Sequence, residues 1–254
     1  MKIRIFLLFI MLITFISCDQ KSTIVEVEKN KLFAKVIVTT HPSYFNPDSN
    51  KVIYKTTMDF EGEIIGESIT SIESIFIGNN SIPFENSYSV DPRNYGVINF
   101  NKPAEFFIEP IKTDKFTIKT GIGELTGIIS MPDSFINISY NHNLFDTLKI
   151  NDSLEISFKG NADYYVLRYW ITYSIPPDTN LMYHAPGLII SKTDKFTISS
   201  SNLNKSGILS INTIESFNGP YLKEGSPGNM NGDGTGFLYS KVNQSVYNYF
   251  YIKK

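Results

Sequence analysis

The feature that most limits how this chain can fold is its punctuation. From Lys31 onward, short runs rich in Val, Ile, Thr and aromatic residues are interrupted by Gly, Pro, Asn and Asp. The spacing is roughly 8–12 residues, the rhythm of an all-β sandwich. Phe33, Val36 and Val38 open one run. Val52–Phe60 alternates through Tyr54, Thr56 and Met58, and Ile72–Ile77 is closed by Gly78-Asn79-Asn80. Tyr95–Phe100, Glu105–Ile108, Lys115–Thr120 and Glu124–Ser130 continue the series. No apolar stripe of helical period exceeds about two turns, so helices do not compete for these segments. Pro42, Pro83, Pro103 and Pro132 sit at the edges of runs, where a missing ladder donor costs least.

A second block begins near Met131-Pro132-Asp133. Phe135–Tyr140 and Leu154–Phe158 alternate, and Tyr164–Tyr173 is the densest aromatic run. It holds Trp170, the sole tryptophan, which reads as a core residue packing across to a second sheet. The blocks share an echo. Lys112-Thr113-Asp114-Lys115-Phe116-Thr117-Ile118 recurs as Lys192-Thr193-Asp194-Lys195-Phe196-Thr197-Ile198. Gly127-Ile128-Ile129 follows the first copy and Gly207-Ile208-Leu209 the second. Self-similarity at a fixed period suggests repeated units. In each copy Thr-Asp-Lys reads as a hairpin turn and Phe-Thr-Ile as the start of a strand. The expected fold is all-β, with two tandem immunoglobulin-like (fibronectin III-like) β-sandwiches over residues 31–132 and 133–254.

The start of the chain has a different texture. Lys2 and Arg4 precede an apolar run, Ile5–Ile16, broken only by Thr14. That is a secretory signal pattern, and the run is shorter than the roughly 20 residues of a membrane-spanning helix. Ser17-Cys18 resembles the lipobox of bacterial lipoproteins, although Phe15 stands where Leu is usual. Residues 1–17 therefore read as a signal peptide after an N-terminal lipoprotein pattern, Cys18 as the lipidation site and residues 18–30 as a tether. Several acyl chains together give stable anchoring where one gives little. With Cys18 lipidated, no thiol remains, because it is the only cysteine. Asp19 follows it, and the outer membrane is the expected address ahead of the inner.

Charge and motifs exclude more than they assign. Of 23 basic residues, Lys2 and Arg4 leave with the signal, so 21 face 25 acidic ones, a formal charge of −4. Such a balance, without a basic cluster, argues against nucleic acid as a partner. His41, His142 and His184 lie far apart in the sequence and lack the convergent ligands of a zinc site. There is no Gly-x-Ser-x-Gly elbow. Asp59, Glu61 and Glu63 read as the rim of a strand, although acids paired for glycoside hydrolysis are not identifiable by spacing alone. Within Gly225–Gly236, Asn229, Asn231 and Asp233 overlay the first half of a calcium loop. Asn229 stands where Asp is expected and Ser240 where a bidentate Glu is expected, so the segment reads foremost as a glycine-rich loop. No cofactor is expected.

These residues together are similar to a family. Ser17-Cys18, the extended Val36–Phe60 opening, the Gly127–Pro132 exit and Gly228–Phe237 resemble β-rich Gram-negative lipoproteins with immunoglobulin-like or fibronectin-like sandwich domains. The resemblance implies an accessory or surface protein of the cell envelope, and it brings no catalytic residue with it. We therefore expect a membrane-anchored, non-enzymatic binding, adhesion or accessory module whose partner is an envelope protein or a glycan. Its contact surface would be the Gly225–Gly236 loop, through Gly228, Asn229, Gly232, Gly234 and Gly236, with the Ser174–Gly187 loop. The alternatives are a carbohydrate-active hydrolase using a carboxylate pair and a structural spacer.

Overall fold

The computed structural model describes residues 31–42, 56–106, 108, 111–133, 136–175, 178–220 and 227–253. The signal, Cys18 and the tether lie outside these residues. So do the beginning of the Val52–Phe60 run, Phe135, Pro176, Pro177, Gly225 and Ser226. The chain is all-β, with no helix among the described residues.

Eight strands come from the first block: β1 (Leu32–Pro42), β2 (Thr56–Gly66), β3 (Ile72–Ile77), β4 (Asn80–Ile82), β5 (Glu85–Val90), β6 (Gly96–Asn101), β7 (Thr113–Thr120) and β8 (Gly123–Ser130). Nine follow: β9 (Ile136–Tyr140), β10 (Thr147–Lys149), β11 (Leu154–Lys159), β12 (Tyr164–Ile175), β13 (Asp178–Ser191), β14 (Lys195–Ile198), β15 (Gly207–Asn218), β16 (Met230–Gly232) and β17 (Gly234–Lys253).

Among the described residues, the first block does not divide into two separately hydrogen-bonded sheets. It is one sheet in the order β4-β3-β7-β8-β16-β17-β1-β2-β6-β5, curled into a half-barrel. The curl brings distant strands face to face: Phe60 of β2 meets Phe116 of β7 nearly edge-on, with ring centroids 6.3 Å apart. Period-two alternation decides what enters this core. In β8, Leu125 and Ile129 are fully buried while Ile128 between them is exposed. Met230 and Leu238, from β16 and β17, belong to the same core. The first block is thus completed by the end of the chain, and β16 and β17 cross the boundary at residue 132.

The second block has two layers. β14-β11-β9 forms a three-stranded sheet. β13, β12, β15 and the C-terminal half of β17 form the facing layer, with β10 beside β17. Leu154 and Ile156 of the small sheet share a core with Leu167, Ile211 and Phe250 of the larger one. β17 is 20 residues long and serves both cores. Its first half pairs in parallel with β1, and its second half pairs antiparallel with β15. The connection near residue 132 is stitched down as well: the Ser130 carbonyl accepts from Asn218 Nδ2 at 2.9 Å and from Ser240 Oγ at 2.5 Å.

Three local expectations change. Glu105–Ile108 forms no strand among its described residues; Ile108 makes an isolated bridge to Met58. Ser174–Gly187 is no loop over its described residues. It is the closed end of a long β12–β13 hairpin, in which Tyr183 pairs with Tyr173 and Pro186 with Trp170. Pro186 is tolerated because, among the described residues, β13 has no strand neighbour besides β12. The repeated Thr-Asp-Lys is a bend only in the second copy; Thr113–Lys115 already lies within β7.

Candidate functional site

The glycine-rich segment is a hairpin rather than an open loop over its described residues. β16 pairs with β17 through Met230↔Gly236 and Asn231↔Thr235, and with β8 on its other side. Gly232 has a φ of 137°, and a side chain there would run into the Glu124 backbone; only glycine takes that turn without strain. The three calcium candidates have separate roles. The Asn229 amide donates to the Leu238 carbonyl at 2.8 Å, and its Oδ1 accepts from the Leu238 N–H at 2.7 Å. Asp233 Oδ2 accepts the Glu124 N–H at 2.8 Å. Asn231 is exposed beside them. Two of the three side chains therefore staple strands. Of the proposed contact glycines, Gly228 and Gly232 are exposed and Gly236 is buried against β1. Among the described residues, no group of three or more His, Cys, Asp or Glu side chains gathers to hold a metal.

The histidines stay apart. His41 Nε2 stands 3.5 Å from Asp59, which also receives Lys102 at 3.2 Å. His184 Nδ1 is 2.9 Å from the Thr172 hydroxyl.

Glu61 and Glu63 line an open groove of about 690 Å³ on the outer face of β1, β2, β6 and β5, with Lys35, Glu85, Asn99 and Asn101. Glu61 lies in register with Ile37 and Asn101, and Glu63 with Lys35 and Asn99. Both acids project from the same side of one strand, so they share one wall.

A second surface lies where the sequence predicts core. Trp170 is 42% exposed. In β12 the odd positions Tyr165, Leu167, Tyr169 and Ile171 fill the core, which turns Arg168, Trp170 and Thr172 outward. The flanking Arg168 and Thr172 were the available signal, because a polar phase marks the solvent face. Neighbouring strands extend the surface in register. Pro186, Trp170, Ser210 and Tyr249 form one row across β13, β12, β15 and β17. His184, Thr172, Ile208 and Tyr251 form the next. Leu188, Ile208, Tyr249 and Tyr251 are all exposed, a concentration of apolar surface of the kind that marks interaction sites.

The face has a charged margin. Glu215, whose side chain is only 4% exposed, accepts from Arg168 Nε at 3.0 Å and Lys241 Nζ at 3.2 Å. On the opposite side of β12, burial raises the Tyr169 phenol above its ordinary range although Asn202 donates to it. Tyr169 thus stays neutral in the core while Trp170 faces out.

No protein-family model matches the chain, and no curated protein does.

Proposed function

We propose that the chain is a non-enzymatic binding module of the cell envelope, lipid-anchored at Cys18 and presented by the outer membrane. The observation that carries the binding role is the exposed row of Trp170 and Tyr249 on a rigid four-stranded face. Large rings are costly to leave in water, and at binding surfaces they dominate the energetics. The contact surface accordingly moves from the two loops to this sheet face. A pure spacer would have no use for such rings. The hydrolase alternative would draw on Glu61 and Glu63, but a glycosidic bond has to be flanked by its two acids, and these stand side by side on one strand.

We further read residues 136–253 as an immunoglobulin-like, fibronectin III-like sandwich. Setting β10 and β16 aside, its first, second and fifth strands form one sheet, and its third, fourth, sixth and seventh form the other. An immunoglobulin-type sandwich sets its first, second and fifth strands against a sheet that can carry an added strand beside the third.

Cross-linking in intact cells, followed by detergent extraction, tests the reading. The full chain is expected to bring down one dominant envelope component. Cys18→Ala should release the protein from the membrane fraction. A Trp170→Ala, Tyr249→Ala double variant should stay membrane-bound and lose the component. Equal recovery with the double variant would move the contact surface elsewhere.

A further inference from the structure

The outward chemistry of β13, β12, β15 and β17 narrows what this face can hold. Its rings are separated by small hydrogen-bonding side chains. Ser210 lies between Trp170 and Tyr249 in one register row, so the two rings stand about 10 Å apart across two strand spacings. Thr172, carrying the His184 imidazole on its hydroxyl, lies beside them in the next row. The buried centre of a protein–protein interface is depleted in serine. A chain of sugar rings has the complementary form: flat C–H faces for the aromatic rings, and hydroxyls for the groups between them.

Charge supplies the second constraint. The whole chain has a formal charge of −2, yet the outward positions of these four strands reverse the sign. Among the described side chains there, Arg168, Lys241 and Lys253 are balanced by a single carboxylate, Glu215. Glu215 is shared by Arg168 and Lys241, so one of those two positive charges is uncompensated. The Arg168 side chain is 54% exposed and stands next to Trp170 along the outer side of β12, about 7 Å away.

From these two observations we infer that the face binds an acidic polysaccharide. Trp170 and Tyr249 stack on its sugar rings, and Arg168 meets a carboxylate. The inference rests on the binding-module reading above. Single-stranded nucleic acid also combines flat rings with negative charge, but it requires a basic groove along its backbone, and this face has too few cations for that.

Trp170 is the only tryptophan in the chain, so its fluorescence reports this face alone. The full-length chain would be titrated at low salt with polygalacturonate, alginate and hyaluronan, and with methyl-esterified polygalacturonate as a neutral counterpart. At least one acidic polymer is expected to shift the emission. The response should be about tenfold weaker in about 1 M salt, where charges are screened within a few ångströms. Tyr249→Ala should weaken binding about tenfold, the effect of losing one anchoring ring. Arg168→Gln should abolish any preference for polygalacturonate over its ester. Unchanged circular dichroism identifies the variants that remain folded. No response to any acidic polymer overturns the inference, as does an equal response to polygalacturonate and its ester, or a tighter response to oligothymidylate. If component capture in cells still depends on Trp170 and Tyr249 while no acidic polymer responds, the binding reading stands and the glycan falls. If neither occurs, both fall.

Discussion

The same seven residues, Lys-Thr-Asp-Lys-Phe-Thr-Ile, occur in both blocks and meet different surroundings. In the first, β7 is paired on both sides, by β3 and β8. In the second, β14 is paired only with β11 among the described residues. The inward residues behave alike: Phe116 and Ile118 are fully buried in one core, as Phe196 and Ile198 are in the other. The outward threonine differs, since Thr117 is buried and Thr197 exposed. Alternation along the strand is local and survives transplantation. What lies beside and above the strand is set by distant residues. The following glycine runs agree, with Ile129 and Leu209 buried and Ile128 and Ile208 exposed.

The largest test of this contrast is Phe116→Ala against Phe196→Ala. Truncating a buried Phe costs about 3–5 kcal/mol. We expect the larger loss at Phe116, whose strand is held on both sides and has less freedom to collapse into the cavity. Urea unfolding of the two variants measures it, and a reversed order would break the comparison. Next comes a pair on the one strand that both blocks share. Leu238→Ala should cost about 2–5 kcal/mol and loosen β1 and β8 in hydrogen exchange. Val246→Ala, in the second core, should loosen β12 and β15 instead, by about 1–3 kcal/mol. Identical exchange patterns would mean that the two cores open as one unit.

A smaller effect is expected at two asparagine staples. Asn229 holds Leu238 in the first block. Asn141 does comparable work in the second, accepting the Glu155 N–H at 2.9 Å and donating to the Ser153 carbonyl at 3.2 Å. Asn229→Ala should cost about 1–3 kcal/mol, because it leaves backbone groups without partners in a partly buried site. Asn141→Ala should cost less, since water can replace the exposed side chain; chemical denaturation compares them. Added calcium should leave the melting temperature of the unmodified chain unchanged, and a rise that Asn229→Ala removes would revive the calcium reading.

The smallest effect at neutral pH is at Tyr239. Burial alone raises its phenol above the ordinary value of 10.0. Below pH 10 the ring is neutral in both folded and unfolded chains, so its full contribution is present. As pH rises past 10 the unfolded chain ionises first, and stability falls until the folded phenol titrates too. Tyr239→Phe should therefore be nearly silent at pH 7 and flatten the alkaline loss measured by unfolding between pH 9 and about 12. Tyr140, also raised by burial, accepts a hydrogen bond from Asn248, so Tyr140→Phe should cost stability at neutral pH as well.

Most strands of both blocks were legible because their pattern is local. Ile72–Ile77 was read to the residue, and β7, β8, β11 and β12 nearly so. Partnership was not legible. Nothing within Met230 or Leu238 says that they complete a core built mainly from residues before 132, because that depends on a curl formed by ten strands. The proline-bearing hairpin reads as a loop in the sequence because proline at a sheet edge and proline in a turn look the same there. Trp170 lies in so dense an aromatic run that composition alone points it inward. Arg168 and Thr172, two residues to either side, already carried the correction.

β17 also has a mechanical meaning. β1 begins at Leu32, directly after the segment that would lead to an N-terminal anchor, and it lies parallel to β17 through nine register pairs, Leu32↔Gly234 to Thr40↔Val242. A load applied at the start of β1 and resisted by a ligand on the second block would pull these strands past each other lengthwise. The ladder between them would then be strained all at once, in shear, and could not unzip one bond at a time. Under such a load the parallel β1–β17 pair would act as a clamp between the two blocks.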